Sequence, residues 1–243
     1  MRRRFFVEQF GDGIALIEGE TAYHLSRVLR AQEGQLYELS DGERVWLGRI
    51  AKVARDTVEF ALQEELEAHR PVLDVTLLLA VVKFDSFEWA IEKATELGVG
   101  TIVPLAAARS EKALLHAADK RSARWKKILV ESSQQSRRLR MPLLNPLTRP
   151  EDAFSRVHDG MKLLLSERPD ALPMRKFLTG VRAANATIAI GPEGGWTDNE
   201  LESAANGGFQ QVSLGKLILR TETAVVAAIA SLNYALGEDG ALD

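Results

Sequence analysis

Cysteine is absent from the 243-residue sequence, and histidine is scarce. Without cysteine there can be no disulfide bond, thiolate zinc site, iron–sulfur cluster or cysteine nucleophile. The four histidines, His24, His69, His116 and His158, lie far apart and form neither the HxxxH nor the HExxH pair that is typical of a histidine metal site. We therefore expect a protein that uses no metal.

Long apolar runs are also missing. A stretch such as Leu77–Val82 is far shorter than the ~20 residues needed to cross a bilayer. The basic start, MRRR, is followed by Glu8 and Asp12, which interrupt any signal-peptide core. The sequence therefore predicts a soluble, untargeted, cytoplasmic protein with no membrane partner.

The net charge is only −3, which does not by itself indicate a nucleic-acid-binding protein. The distribution of charge along the chain is more informative. Residues 2–4 are three arginines. Residues 120–140 hold eight basic residues and a single acidic one, Glu131, which gives a local net charge of +7. A local basic patch can bind phosphates even in an acidic protein. The alternative interpretation of residues 120–140 is a solvated helix face.

The first 63 residues have the pattern of a small β-barrel. Five short segments are rich in β-branched and aromatic residues, Asp41-Gly42 is a hairpin-turn signal, and Thr21–Leu29 has helical spacing. The polar stretch Glu64–Pro71 is the best linker candidate. We therefore assign residues 1–68 to a barrel domain and residues 69–243 to a second domain. The five predicted strands are Phe5–Val7, Ile14–Ile17, Gln35–Leu39, Val45–Val53 and Thr57–Leu62.

Strands alternate with helices in the second domain, which predicts a mostly parallel α/β sheet. Its predicted strands are Val72–Val82, Thr101–Leu105, Lys162–Ser166, Thr187–Ile190 and Gln211–Leu214. Its predicted helices are Asp85–Leu97 with Asp85 as cap, Lys120–Leu139, Pro173–Arg182, Thr197–Asn206 with a Thr197–Glu200 capping box, and Thr221–Leu236.

Ligands in such sheets bind beyond the carboxyl ends of the strands, where three loops qualify. They are Ser166–Arg168, Ile190–Thr197 (IGPEGGWT) and Leu214–Ala224 (LGKLILRTETA). The glycines of the second loop allow a ligand to lie against the main chain, and the helix that follows offers free N–H groups to an anion. The alternative is a tight turn that needs glycine for conformational reasons alone.

Two further segments carry polar side chains suited to chemistry. In the third loop, Arg220 and Glu222 flank Thr221 at the start of a predicted helix. The pair is either part of a functional site or a local ion pair. Residues 131–140 (ESSQQSRRLR) place small hydroxyls on one helix, but the sequence has no GxSxG motif and no histidine placed for a triad, which disfavours a serine hydrolase.

Several motifs together resemble the small-subunit ribosomal RNA uridine-N3 methyltransferases of the SPOUT class. They are IGPEGGWTDNE at 190–200, LILRTETA at 217–224, EKATELGV at 92–99, the serine-rich segment at 131–142, and RRFFVE at 3–8 with HLSRVLRAQEG at 24–34. The resemblance implies an α/β fold with a trefoil-knotted, mostly parallel sheet and a PUA-like N-terminal barrel. It also implies a homodimer that uses S-adenosylmethionine and methylates N3 of a uridine in 16S rRNA, in the assembled 30S subunit.

The resemblance also assigns residues. The implied donor-binding residues are Leu165, Ser166, Glu167, Gly191, Pro192, Glu193, Gly194, Gly195, Leu214, Gly215, Leu217, Ile218 and Leu219. The implied RNA-binding residues are Arg2, Arg3, Arg4, His24, Arg27, Arg30, Arg124 and Arg137. Two positions depart from the family pattern: Lys216-Leu217 stand where proline and arginine are expected, and residues 134–138 read QQSRR where EQSGR is expected.

Glu222 is our candidate for the group that accepts the uridine N3 proton, Arg220 for the group that stabilises the resulting anion, and Arg138 is a third candidate. The rival hypotheses are a non-catalytic RNA-binding assembly factor and a SPOUT methyltransferase that acts on another RNA. A dinucleotide-dependent oxidoreductase is disfavoured, because LLLAVVKFDSF at 77–87 has no GxGxxG motif.

Overall fold

The structure, a computed structural model, describes residues 3–237 and groups the chain into two units. The first unit comprises the chain up to Arg70 together with Ser133–Met141, and the second comprises Pro71–Ser132 and the chain from Pro142 onward. The sequence did not indicate that Ser133–Met141 belongs with the N-terminal unit. Within residues 3–237, no helix is both long enough and apolar enough to span a membrane.

The N-terminal unit contains a five-stranded sheet. Its strands are β1 (Arg4–Phe6), β2 (Ile14–Glu18), β3 (Leu36–Ser40), β4 (Val45–Val53) and β5 (Thr57–Leu66). They lie in the order β1-β3-β4-β5-β2, with β1 parallel to β3 and the other pairs antiparallel. The strands alternate as the sequence predicts: in β2, Ala15 and Ile17 are buried in a core with Phe5 and Phe60, while Ile14 and Leu16 are exposed.

The predicted helix at Thr21–Leu29 is confirmed, but its second half is π-helical. The chain forms a short helix α1 (Gly19–Tyr23) that continues as a π-helical segment, His24–Val28. The Leu29 N–H donates to the His24 carbonyl five residues earlier, which is the π-helical spacing. Leu25 is fully buried, whereas Val28, which the helical spacing grouped with it, is exposed.

The second unit contains a seven-stranded sheet in which every pair is parallel, in the order β10-β12-β9-β11-β6-β7-β8. Its strands are β6 (Asp74–Ala80), β7 (Thr101–Leu105), β8 (Leu143–Leu144), β9 (Met161–Leu165), β10 (Leu172–Pro173), β11 (Asn185–Ile190) and β12 (Gln210–Ser213). The predicted mostly parallel α/β sheet is confirmed. Leu77, Leu78 and Leu79 of β6 are all buried, as expected for a central strand covered on both faces.

Helices cover both faces of this sheet. They are α2 (Phe84–Glu96), α3 (Lys112–Gln135), α4 (Pro150–Arg156), α5 (Met174–Leu178), α6 (Asp198–Asn206) and α7 (Thr221–Leu236). The core on one face includes Phe87 of α2, Trp125 of α3 and Ile229 of α7. The core on the other face includes Phe154 of α4 and Leu201 of α6.

Three helix boundaries correct the prediction. The helix expected at Lys120–Leu139 is α3, which begins earlier, at Lys112, and ends earlier, at Gln135. It ends there because Arg137 takes a left-handed φ of 56° and the Arg138 N–H donates to the Ser133 carbonyl at 2.9 Å. Asp85 does not cap α2, whose N-cap is Lys83 without a side-chain hydrogen bond. The helix expected at Pro173–Arg182 shortens to α5, and β8, α4 and β10 were not predicted. The capping box of Thr197 and Glu200 is confirmed.

Candidate active site

A cleft of about 320 Å³ lies at the carboxyl ends of β9, β11 and β12. These three strands are neighbours in the sheet, so the loops that follow them meet at one edge. The cleft volume falls at the lower end of the roughly 300–1,000 Å³ typical of small-molecule sites. Apolar side chains, among them Leu165, Ile190 and Leu219, line part of it, and charged side chains line the rest.

Hydrogen bonds join the three loops to one another. Trp196 Nε1 donates to the Leu165 carbonyl at 2.9 Å, which links the second loop to the first. Thr221 Oγ1 donates to the Gly191 carbonyl at 3.2 Å, which links the third loop to the second. The cleft wall is therefore a connected framework of backbone rather than three independent loops.

Glycine is required at two positions of the second loop. Gly195 has a φ of +69°, a conformation that residues with a side chain rarely adopt. At Gly191, a β-carbon would lie 2.9 Å from the Trp196 ring, which is too close for carbon atoms. The glycines thus serve the turn itself, as the conformational interpretation requires, and contact of a ligand with this backbone stays a prediction.

Glu200 fixes the start of α6, which follows the glycine-rich turn. Its carboxylate is buried and accepts hydrogen bonds from the N–H groups of Thr197 and Ala108, both at 2.8 Å. Ala108 belongs to the loop after β7, so Glu200 ties that loop to the turn. The sequence indicated the capping role of Glu200 but not this second contact, which spans 92 residues.

The loop after β7 contributes a residue that the sequence analysis missed. Arg109 lines the cleft, and its Nη1 donates to the Gly194 carbonyl at 2.6 Å. The signal that could have found it is its position, since the loop follows another parallel strand at the same edge of the sheet. Arg168 and Asp198 also line the cleft and form an ion pair with each other.

The start of α7 carries the two leading catalytic candidates on either side of Thr221, which lines the cleft. Glu222 Oε2 is buried and accepts no hydrogen bond from any residue in the range 3–237. Arg220 is exposed, and no ion pair joins it to Glu222 within that range. The structure thus disfavours the local ion pair that was the alternative for this sequence.

The structure brings the implied donor-binding residues together. All of them except Gly194 line the cleft, and Gly194 adjoins it through the bond to Arg109. The cleft is also lined by residues outside the three predicted loops, namely Arg109, Asp198, Leu201, Val212 and Ser213. Further lining residues lie in those loops but were not assigned to the donor, namely Arg168, Ile190, Trp196, Thr221 and Ala224. Arg138 lies in Ser133–Met141 and therefore in the N-terminal unit.

The implied RNA-binding residues fall into different settings. Arg3, Arg27 and Arg30 are exposed, His24 is half-buried at the start of the π-helical segment, and Arg2 lies outside the described residues. Arg124 is exposed on α3 and donates from Nε to Glu88 at 2.6 Å, a hydrogen bond that raises the pKa of its guanidinium.

Arg4 is the exception among these arginines, because its side chain is buried. Its Nη2 lies 2.9 Å from Glu38 Oε2, and its Nη1 donates to the Arg137 carbonyl at 2.6 Å. Arg137 itself reaches Glu38 Oε1 at 3.5 Å. For Arg4 the structure therefore replaces the implied RNA contact with a role in holding Ser133–Met141 against β1 and β3.

Comparisons with known proteins agree with this geometry. The RNA methyltransferase domain family matches residues 68–233. Ribosomal RNA small subunit methyltransferase E of Synechocystis sp. is 34% identical over 94% of this chain and 76% of its own length, and that of Aquifex aeolicus is 30% identical over 93% and 96%.

Solved structures extend the comparison. Ribosomal RNA small subunit methyltransferase E from Neisseria gonorrhoeae, crystallised with S-adenosylmethionine, superimposes with a TM-score of 0.87 at 28% identity, covering 99% of this chain and 100% of that one. A Legionella pneumophila methyltransferase in complex with the same cofactor gives 0.89 at 27% identity, covering 98% and 99%. The chain belongs to the ribosomal RNA small subunit methyltransferase E family of RNA methyltransferases.

Proposed function

We propose that this protein transfers a methyl group from S-adenosylmethionine to N3 of one uridine in 16S rRNA. The observation that carries the proposal is the buried, unpartnered Glu222 Oε2 beside Thr221 on the wall of a backbone-lined cleft. The two relatives solved with S-adenosylmethionine support the choice of donor.

The cleft fits the donor in size and in chemistry. The apolar walls formed by Leu165 and Leu217–Leu219 suit the faces of an adenine ring, and the open backbone at Gly191 and Gly195 suits its polar edges and the ribose. When bound, S-adenosylmethionine supplies a methyl group on a sulfonium, with a neutral thioether as the leaving group. The protein's main task is then to position the two reactants.

Uridine N3 becomes a nucleophile only when it loses its proton. Glu222 Oε2 takes this proton, because its carboxylate oxygen has no competing hydrogen bond among residues 3–237. The N3 electron pair forms the new bond to the methyl carbon, while the carbon–sulfur bond breaks and its electron pair stays on sulfur. Arg220, exposed beside Glu222, stabilises the negative charge that develops on the uracil oxygens.

Arg138 is the third candidate for a catalytic role. Other basic residues form the surface that binds the RNA backbone. Cationic groups are offered to phosphates by Arg3, His24, Arg27, Arg30 and Arg137 on the N-terminal unit and by Arg124 on α3. The target base leaves any stack to reach the cleft, at a cost of a few kcal/mol that these contacts offset.

The finer architecture belongs to the same proposal: a PUA-like barrel, a trefoil knot and a homodimer that acts in the cytoplasm on the assembled 30S subunit. Exposed apolar side chains support a second copy. Tyr234 on α7 is 95% exposed, and Leu217 and Ile218 are each more than 80% exposed. Apolar groups at this level of exposure are typical of surfaces that are covered in an assembly.

Nucleoside mass spectrometry of 16S rRNA tests the function directly. The rRNA from a deletion strain should lack one 3-methyluridine, and the wild-type gene should restore it. A gene with Glu222→Gln should fail to restore it. An unchanged 3-methyluridine level in the deletion strain would remove the proposed substrate. Binding of 30S subunits without binding of S-adenosylhomocysteine by calorimetry would favour a non-catalytic assembly factor instead.

A further inference from the structure

The charged end of the cleft has an arrangement that the proposed reaction does not use. Arg109 and Glu167 both approach Gly195: a β-carbon on Gly195 would be 3.8 Å from Arg109 Nη1 and 3.0 Å from Glu167 Oε1. They come from different loops, after β7 and after β9, and do not pair with each other within the described part of the chain.

Each of the two groups has unused hydrogen-bonding capacity. A guanidinium has five N–H donors, and the bond to the Gly194 carbonyl occupies one N–H of Arg109. Glu167 is exposed and has no hydrogen-bond or ion-pair partner among residues 3–237. Among the other charged residues that line the cleft, Arg168 and Asp198 are paired with each other, and Glu193 is a further exposed carboxylate.

The position of Arg109 is fixed by its surroundings. The Arg109 stem packs on the main chain at Gly194, where a β-carbon would be 3.2 Å from Arg109 Cβ and 3.3 Å from its Cδ. The loop that carries it is anchored by Glu200 and by Ser110 Oγ, which donates to the Val81 carbonyl at 2.7 Å. A cation and an anion that lie near the same turn without pairing with each other are complementary to a ligand that carries both charges on neighbouring atoms.

We propose that Arg109 and Glu167 recognise the amino-acid end of the methyl donor, Arg109 its α-carboxylate and Glu167 its α-ammonium group. This inference rests on the proposed function, because it assumes that the adenosine part occupies the apolar part of the cleft. It makes the two residues determinants of donor specificity, which distinguish S-adenosylmethionine from adenosine compounds without the amino-acid group. Neither residue takes part in the methyl transfer.

Three adenosine thioethers separate the contributions of the two charges. S-adenosylhomocysteine carries both charges, its decarboxylated form carries only the ammonium, and 5′-methylthioadenosine carries neither. Calorimetry should show that Arg109→Met lowers the affinity for S-adenosylhomocysteine by about tenfold or more. The affinities for the other two ligands should stay within about twofold of the wild-type values. Glu167→Gln should lower the affinity for both ammonium-bearing ligands by a similar factor and leave the affinity for 5′-methylthioadenosine unchanged.

Matched controls use exposed residues away from the cleft. Arg182→Met and Glu202→Gln remove the same charges and should leave all three affinities unchanged. Glu193→Gln tests another exposed carboxylate that lines the cleft and that, unlike Asp198, is not paired with Arg168. A loss of ammonium recognition with Glu193→Gln instead of Glu167→Gln would overturn the assignment of Glu167.

The remaining outcomes are equally distinct. If Arg109→Met lowers the affinity for all three ligands by the same factor, Arg109 acts only by holding the glycine-rich turn through the Gly194 carbonyl. The inference is then wrong. If neither variant changes any affinity, the inference is also wrong, while the proposed function stands. If the wild-type protein binds none of the three ligands, the proposed function itself fails.

Discussion

Thr221 Oγ1 donates a hydrogen bond to the Gly191 carbonyl across 30 residues of sequence and fastens the first turn of α7 to the glycine-rich turn after β11. Thr221 is buried, so water cannot easily replace this bond. The bond fixes two walls of the cleft relative to each other. Thr221 lines the cleft, whereas its neighbours Arg220 and Glu222 adjoin it in sequence and are not among the lining residues.

Removing this hydroxyl should loosen the cleft. We expect Thr221→Val, which keeps the side-chain shape, to lower the free energy of unfolding by about 1–3 kcal/mol because the Gly191 carbonyl loses its partner. It should also weaken S-adenosylhomocysteine binding. Urea denaturation and calorimetry measure the two effects, and Thr221→Ser, which keeps the donor, should retain most of both. Equal behaviour of the two variants would show that the hydroxyl does not matter.

The Glu222 carboxylate should matter for the reaction rather than for donor binding. Glu222→Gln should slow single-turnover methylation of 30S subunits by about 10²- to 10⁴-fold, because an amide cannot accept the N3 proton. The affinity for S-adenosylhomocysteine should stay near that of the wild type. Glu202→Gln, which neutralises an exposed carboxylate on α6, serves as the control. Near-normal single-turnover rates for Glu222→Gln would remove Glu222 as the proton acceptor.

Arg4 should contribute to folding more than to RNA binding. Within residues 3–237, Arg4→Met leaves the buried Glu38 carboxylate with the longer contact to Arg137 alone. We therefore expect the free energy of unfolding to fall by about 3–5 kcal/mol. Arg3→Met, at an exposed position one residue earlier, should change stability little. Urea denaturation compares the two variants, and similar stabilities would contradict the structural role of Arg4.

Arg137 occupies a strained backbone conformation at the position where the family pattern has glycine. Its φ of 56° lies in the left-handed region, so Arg137→Gly should relieve about 1 kcal/mol of strain. The half-exposed contact with Glu38 at 3.5 Å is worth less than that, so the net change should be stabilising. Arg137→Ala loses the charge but keeps the strain, and it should show no such gain in urea denaturation.

Asp41 should make stability depend on pH in the acid range. Burial alone raises the pKa of the Asp41 carboxyl, but N–H donors of Arg44 and Glu43 and the Arg44 guanidinium outweigh it and hold the pKa below its usual 3.8. A lowered folded-state pKa stabilises the protein above the unfolded value, and this stabilisation is lost as pH falls through the folded value. The difference in unfolding free energy between wild type and Asp41→Asn should therefore shrink on acidification. A constant difference would contradict this.

Local patterns predicted the elements that depend on neighbouring residues. The alternation in the first 63 residues, the apolar run of β6 and the capping box of Thr197 and Glu200 each reflect interactions within a few residues, so their positions could be predicted from the sequence. The boundaries failed where distant contacts intervene. At the end of α3, the Arg137 carbonyl and side chain are held by Arg4 and Glu38, more than 90 residues earlier in the chain.

The sequence by itself determined that this chain has a mostly parallel α/β sheet and a glycine-rich turn after β11, because periodicity and backbone freedom are local properties. Only the tertiary structure decided which charges are used for folding and which remain available to a ligand. Arg4 and Arg109 are both arginines in the sequence, yet one is buried against Glu38 and the other reaches Gly194 at the cleft. Burial and pairing depend on residues that folding brings together from distant parts of the chain, and local sequence patterns do not contain that information.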